Sequence, residues 1–296
     1  MIKGIPQTRS IRADLSLRRS ALAALFILLY LFPCRTVFAI NISLIEPADL
    51  KKDMSKWVIL DARPKSEWVS GHIPGALSFS WENYTRTDEN GIPYRVWPPK
   101  ELSVELGKMG INENTPIVVY GDADKSWGGE GWNCWVLAWL GHKGPVRLLA
   151  GGVQSWRSNN FPWTQEPDKG RSHHVHYTHK LEPSLDIMTE DIDKQKANIV
   201  LIDTRSFFER IKGKIPGSVH IEWSDFFIGN DRRPLSPEAL KKLLRKNGVN
   251  TNKQIVYYCA GGIRSAYAWL VHQLAGLPPA KNYEGGYEAW RRQSNK

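Results

Sequence analysis

Ile255-Val256-Tyr257-Tyr258-Cys259-Ala260-Gly261-Gly262-Ile263-Arg264, continuing as Ser265-Ala266-Tyr267-Ala268-Trp269-Leu270, is the stretch around which the rest of the chain can be read. Its β-branched and aromatic opening predicts a buried strand, its glycine pair a tight loop, and the apolar run beyond Arg264 a helix. Cys259 therefore stands at a strand-to-helix turn. Such a turn can direct successive N–H groups at the positive end of a helix dipole, where an anion is favoured. A helix N-terminus and a nearby cation such as Arg264 both favour the thiolate, the reactive form of cysteine. An isolated cysteine after a core strand is often just a small buried hydrophobe. Cys, Gly-Gly and Arg together in one such loop point instead to a nucleophile.

Working outward, the chain repeats itself. Trp57-Val58-Ile59-Leu60-Asp61-Ala62-Arg63, then Glu67, Gly71-His72-Ile73-Pro74-Gly75-Ala76 and Trp81, matches Ile199-Val200-Leu201-Ile202-Asp203-Thr204-Arg205, Glu209, Gly213-Lys214-Ile215-Pro216-Gly217-Ser218 and Trp223 without a gap from Asp to Trp. Pro116-Ile117-Val118-Val119-Tyr120 parallels Gln254-Ile255-Val256-Tyr257-Tyr258, and Gly151-Gly152 with Trp156 parallels Gly285-Gly286 with Trp290. Two homologous domains follow from this, each alternating short strands with helical stretches. That alternation predicts an α/β fold, a mostly parallel sheet covered by helices on both faces. Helices are expected over 99–109 and 236–247, both apolar at helical spacing and closing near a glycine.

The domain plan is residues 1–39 as a targeting segment, 40–163 as domain 1, 164–183 as a linker and 184–296 as domain 2. Arg12, Arg18 and Arg19 precede an apolar run over 20–32 that is short for a membrane span and built like a secretory h-region, with Val37-Phe38-Ala39 as a cleavage site. The expectation is a cleaved export signal and a periplasmic or secreted mature protein without stable membrane association. A retained anchor remains open, as does a twin-arginine route through Arg18-Arg19; a lipoprotein site at Cys34 is opposed by Pro33. Loss of residues 1–39 removes six Lys/Arg and one Asp, so the formal charge falls from +10 to +5. No Lys/Arg run with interleaved aromatics suggests nucleic acid, and a mildly basic surface suits an anionic small substrate. Cys134 and Cys259 then remain in an oxidising compartment, but they fall in different domains, which argues against a disulfide between them. In the linker, His173, His174, His176 and His179 alternate with other residues at strand spacing and read as a solvated edge; no Cys or carboxylate completes a metal site.

The Asp-x-Arg strand ends, the Gly-(His/Lys)-Ile-Pro-Gly-(Ala/Ser) segments, the cysteine loop and the closing Gly-Gly-x-x-x-Trp resemble the rhodanese family in its tandem two-domain sulfurtransferase form, over nearly all of 41–293. The resemblance implies two rhodanese domains, with Cys259 at the position of the nucleophile in domain 2. The equivalent in domain 1 is Gly121 or Asp122, which implies an inactive domain 1. Cys134, among Trp132, Trp135 and Trp139, reads as packing. The implied chemistry is double displacement without a cofactor: the Cys259 thiolate takes the outer sulfur of thiosulfate or 3-mercaptopyruvate, and cyanide, a thiol or a protein acceptor removes it from the persulfide. The amides of Ala260, Gly261, Gly262, Ile263 and Arg264 would stabilise the charged sulfur, and the Arg264 side chain would hold the donor anion. Arg205 is a second candidate for the donor, or else an ion-pair partner of Asp203 or Glu209; Arg63 holds the same motif position without a cysteine loop.

The 259–264 loop has six residues, the length that the family associates with sulfur donors, whereas phosphatase-like members have one more. Ala260 is neither the basic residue common in thiosulfate-preferring members nor the glycine common in mercaptopyruvate-preferring ones. Only seven residues separate Arg205 from Gly213, so the insertion that carries a carboxylate-binding arginine in many two-domain members is missing, which tilts the reading towards thiosulfate. Arg210 could substitute. A reading from another class is a persulfide carrier that acts with a protein partner. The segment 81–97, rich in aromatic and basic residues, would serve such a partner or cover the cleft between domains.

Overall fold

The computed structural model describes Met1 and residues 41–166 and 174–294. The export-signal reading, Cys34 and His173 lie outside the described residues. The first half runs β1 (Ile42–Ile45), α1 (Pro47–Lys52), β2 (Val58–Asp61), α2 (Lys65–Val69), β3 (Ala76–Ser78), α3 (Trp81–Tyr84), β4 (Thr85–Arg86), β5 (Arg95–Val96), α4 (Pro99–Lys108), β6 (Ile117–Tyr120), α5 (Gly129–Trp139), β7 (Val146–Leu149) and α6 (Gly152–Ser158). The second runs α7 (Thr189–Lys194), β8 (Ile199–Asp203), α8 (Phe207–Ile211), β9 (Val219–His220), β10 (Phe227–Ile228), β11 (Arg233–Pro234), α9 (Pro237–Lys246), β12 (Gln254–Tyr258), α10 (Ile263–Leu274), β13 (Lys281–Asn282) and α11 (Gly286–Ser294).

Each half is built on a parallel sheet, in the order β1-β7-β6-β2-β3 and β13-β12-β8-β9. The central strands β2, β6, β8 and β12 are continuous runs of Val, Ile, Leu and Tyr because both faces lie under helices; an alternating strand would place polar groups against one of them. The expected helices over 99–109 and 236–247 form as α4 and α9. Ser236 caps α9 by accepting from the amide of Ala239, and proline opens both helices, where its missing N–H costs nothing.

The two sheets share one device at the ends of their strands. In the first half Arg63 donates through Nε and Nη2 to Asp61 and through Nη2 to the carbonyl of Gly71, while the Tyr120 hydroxyl donates to Asp61. In the second half Arg205 does the same to Asp203 and Gly213, with the Tyr258 hydroxyl on Asp203. The strand register puts Asp61 opposite Tyr120 and Asp203 opposite Tyr258. Residues one step past those tyrosines, Gly121 and Cys259, are therefore equivalent, which decides between Gly121 and Asp122.

The described residues from 41 onward form a single unit, within which the two halves meet along the equivalent helices α5 and α10. A Cβ on Gly131 would lie 2.3 Å from the Cα of Tyr267 and 2.5 Å from its backbone nitrogen, so only glycine permits this approach. One apolar core continues across the junction, with Trp132, Trp135 and Leu137 on one side and Tyr267, Trp269 and Leu270 on the other. Cys134 is fully buried in that core, where burial pushes its thiol far up, and it packs as read from the sequence; it and Cys259 are both free thiols. Among the described residues no group of His, Cys, Asp or Glu could hold a metal, and no helix is long and apolar enough to cross a membrane. His174, His176 and His179 are exposed on an extended segment without strand pairing, and His179 meets the Ser103 hydroxyl at 2.9 Å.

Candidate active site

The loop after β12 is held by its carbonyls. Those of Cys259 and Ala260 accept from the amides of Tyr287 and Glu288 in the first turn of α11, at 2.8 and 3.1 Å. A planar trans peptide sets its N–H opposite its C=O, so the amides of Ala260 and Gly261 point away from α11. Among the described residues no acceptor engages the amides of Ala260, Gly261, Gly262, Ile263 or Arg264. These amides stand at the N-terminus of α10, whose residues from Ile263 to His272 are all buried. Gly262 has φ +82° and a Cβ there would lie 2.7 Å from the carbonyl oxygen of Glu284, two independent reasons for glycine. Gly261 is excluded from larger residues by a different contact: its Cβ would lie 2.4 Å from that of Tyr94.

Cys259 is 1% exposed and lies in the wall of a half-open pocket of about 340 Å³. The second half supplies Ala260, Gly261, Ile263, Arg264 and Glu209, and the first half supplies Trp81, Tyr94 and Trp127. The segment 81–97 thus covers the cleft between the halves. Trp81 and Tyr94 meet edge to face at 6.0 Å, and the Arg264 guanidinium lies 5.5 Å from the centre of the Trp127 ring. Tyr94 and Trp127 both have positive φ, of 66° and 53°, a backbone conformation uncommon for non-glycine residues and often retained at functional sites.

Near the sulfur, the Ser265 hydroxyl is 3.5 Å from Sγ and 2.6 Å from Oδ1 of Asn282, whose amide nitrogen donates to the carbonyl of Gly262 at 3.0 Å. Because the Asn282 amide is oriented by Gly262, its oxygen can only accept. The single Ser265 proton therefore points either to Asn282 or to Sγ, and rotation of one hydroxyl serves both thiol and thiolate.

Arg264 lines the pocket but is not free. Both ends of its guanidinium lie on Glu209, at 2.6 and 2.7 Å. Against the opposing effect of burial, the Glu209 hydrogen bonds and the charge of Cys259 hold Arg264 above its usual range. Partial burial works to raise the Glu209 carboxyl, but Arg264 and the Ser206 cap outweigh it and bring it down to about 2. Glu209 is held twice, because it also closes the capping box of α8 with Ser206.

Arg205 does not reach the pocket. It is 2% exposed, paired with Asp203 at 2.7 Å, and stacked on Tyr287 with 4.0 Å from its guanidinium carbon to the ring centre. Of the two roles read for it, the geometry shows the ion pair, with Asp203 and not Glu209. Arg210 is likewise occupied, by the hydroxyl and carbonyl of Ser218. Gly262 shapes the loop without lining the pocket. Sequence reasoning missed Ser265, Asn282 and Trp127 as site residues, whereas Trp81 and Tyr94 fall in the segment read as a cover for the cleft. Glu209, not read as a pocket residue, did carry a signal, being repeated as Glu67.

The equivalent loop of the first half is filled by its own carboxylate. Glu130 is 5% exposed and accepts from the Ser126 hydroxyl at 2.7 Å and the Ala123 amide at 3.2 Å; burial raises it to about 7. A Cβ on Gly121 would lie 2.3 Å from the nearer Glu130 oxygen, so the cysteine position is closed there.

Comparison with known proteins agrees with this architecture. A rhodanese-like domain model matches residues 46–159 and again 184–293. The chain is 30% identical over 242 residues to the sulfur carrier protein TtuD of Thermus thermophilus, covering 75% of this chain and 82% of that protein. It is 28% identical over 246 residues to the 3-mercaptopyruvate sulfurtransferase of Mus musculus (78% and 80% covered) and 26% identical over 258 residues to the thiosulfate sulfurtransferase of Azotobacter vinelandii (83% and 93% covered). Among solved structures, the anaerobic ergothioneine biosynthesis enzyme of Chlorobium limicola is similar in fold, with a TM-score of 0.74 at 22% identity over 86% of this chain and 68% of that one.

Proposed function

The chain belongs to the rhodanese family, with two rhodanese-like domains in tandem, and from that premise we propose that it is a sulfurtransferase whose second domain moves sulfane sulfur through a persulfide on Cys259. The observation that carries this reading is the placement of Cys259 in a half-open pocket, on a loop with unengaged amides at the N-terminus of α10 and with Arg264 beside it.

In the first step the Cys259 thiolate attacks the outer sulfur of thiosulfate. A new S–S bond forms, the donor's S–S bond breaks, and sulfite leaves with the bonding pair. In the second step cyanide or a thiolate attacks the outer sulfur of the persulfide and Cys259 departs as thiolate. The loop amides and the α10 dipole are fixed before either step, so they stabilise the anionic sulfur without reorganising. Ser265 can donate to Sγ whenever it is anionic. Arg264 draws the donor anion, although Glu209 already offsets much of its charge. The missing insertion between Arg205 and Gly213 favours thiosulfate over 3-mercaptopyruvate. A persulfide carrier acting with a protein partner is the second reading, and the name of the Thermus thermophilus relative supports it.

Steady-state sulfur transfer to cyanide, with thiosulfate and 3-mercaptopyruvate as parallel donors and Cys259→Ser beside the wild type, tests the reading. Turnover lost in Cys259→Ser is expected, with thiosulfate the better donor. A Cys259 persulfide seen by intact mass without turnover on either donor would move the assignment to the carrier; no persulfide and no turnover would end both.

A further inference from the structure

The helix that brings Glu209 to the pocket also presents an apolar face to solvent. On α8, Phe207, Phe208 and Ile211 are 57%, 75% and 66% exposed, and the two phenyl rings meet edge to face at 6.0 Å. Lys212 and Lys214 follow, both exposed. Exposed apolar residues scattered singly are ordinary, whereas large apolar residues gathered on one helical turn form a patch.

The internal repeat provides a control for what the fold requires. With Asp61 aligned on Asp203, the counterparts of Phe207, Phe208 and Lys212 are Lys65, Ser66 and Ser70, and that of Ile211 is Val69. α2 forms with lysine and serine at the positions of the two phenylalanines, so packing on the sheet does not call for aromatics there. They occur in the half that holds Cys259. Position agrees with this: Glu209, the residue after Phe208, is part of the wall around Cys259. Trp127, which also lines the pocket and lies 5.5 Å from the Arg264 guanidinium that Glu209 holds, is 52% exposed.

Resting on the sulfur-transfer reading, we propose that Phe207, Phe208 and Ile211, with Lys212 and Lys214, dock a protein thiol acceptor that offers its cysteine on a narrow segment bearing apolar and acidic side chains. Cys259 is too enclosed for a folded surface to reach it, so a flexible segment must enter the pocket. Aromatic anchors beside cations select apolar residues beside carboxylates. The acceptor thiolate attacks the outer persulfide sulfur. Its new S–S bond forms as the bond to Cys259 breaks, Cys259 leaves as thiolate, and the acceptor's thiol proton has gone to solvent.

The full chain is first loaded with thiosulfate, and the Cys259 persulfide is measured by intact mass. It is then discharged to glutathione or to synthetic peptides ending in cysteine: one rich in Glu and Leu, one with Ser for Leu, and one with Lys for Glu. The Glu/Leu peptide is expected to accept sulfur about ten-fold faster than the others, equivalent to ~1.4 kcal/mol. The double variant Phe207→Lys, Phe208→Ser, which installs the first half's own residues, should lose that advantage while keeping loading and the glutathione rate. Equal rates for all acceptors, or an advantage that survives in the variant, overturn the docking surface. So does binding to phosphatidylglycerol vesicles, or self-association in sedimentation, that the variant abolishes without any peptide preference. Failure to load sulfur from thiosulfate and from 3-mercaptopyruvate alike would sink the transfer reading itself, and the docking proposal with it.

Discussion

Arg264 and Glu209, 55 residues apart, face each other through both nitrogens and both oxygens at 2.6 and 2.7 Å, in the wall of the pocket that holds Cys259. The only arginine of the cysteine loop is therefore paired with an acid before any donor arrives. An anionic donor must share Arg264 with Glu209.

Replacing Glu209 by Gln keeps an acceptor for the Ser206 cap and removes the competing charge. KM for thiosulfate is expected to fall about two- to five-fold, in keeping with a partly exposed ion pair, while kcat changes less. The carboxyl lies at about 2, below its ordinary 4.5. The stability drawn from this pair is present above pH 4.5 and is lost as pH falls towards 2. Steady-state kinetics on the variant decide the matter: a KM that rises would mean that Glu209 positions Arg264 for the donor instead of competing with it.

Arg63 and Arg205 play the same structural part in the two halves. Each is at most 4% exposed and each neutralises a fully buried aspartate. Arg63→Met leaves Asp61 without its cation and should cost about 3–5 kcal/mol in urea unfolding; Asp203 keeps Arg210 at 3.5 Å, so Arg205→Met should cost less. Donor KM in the folded Arg205→Met protein should stay at the wild-type value. A large rise in KM with unchanged stability would restore Arg205 to the donor site.

Gly121→Cys places a thiol at the first-half position equivalent to Cys259, but its Cβ would fall 2.3 Å from Glu130. In a Cys259→Ser background this variant should show a lower Tm and no persulfide after exposure to thiosulfate. Sulfur found on residue 121 by peptide mass mapping would show that the cysteine position alone makes the site.

Glu284 gives a stability profile of opposite sign to that of Glu209. It is 3% exposed, accepts from the Val96 amide at 2.7 Å and pairs with Arg95 at 2.8 Å, yet burial raises it from 4.5 to about 7. Between those values the folded chain holds a proton that the unfolded chain has released, so stability falls as pH rises from about 4.5 to 7, by up to ~3 kcal/mol. Glu284→Gln should flatten that part of the curve of Tm against pH; an unchanged slope would assign it to other groups, Glu130 first among them.

Much of this fold is legible in the residues themselves. Continuous runs such as Ile117-Val118-Val119-Tyr120 and Ile255-Val256-Tyr257-Tyr258 can be satisfied only where both faces are covered, and the gapless repeat from Asp61 to Trp81 and Asp203 to Trp223 shows the fold is made twice. The strand-to-helix turn at Cys259 is local, and local geometry follows from local sequence. The pairings of the site are another matter. Arg205 had two acidic candidates within six residues, and the spacing could not choose between them. The choice was made by the β8–β12 register, which brings the Tyr258 hydroxyl onto Asp203, and by the capping box, which turns Glu209 towards Arg264.

The sequence by itself determined two α/β domains and a cysteine at the mouth of a helix in the second of them. Tertiary structure alone decided that Trp81, Tyr94 and Trp127 of the first half wall the Cys259 pocket, that Arg264 rests on Glu209, and that Glu130 fills the first half's loop. The reason is physical. Periodicity and turn chemistry are set by neighbours a few residues away, whereas the first-half walls lie more than 130 positions before Cys259. They reach it only because Gly131 lets α5 settle against Tyr267 on α10.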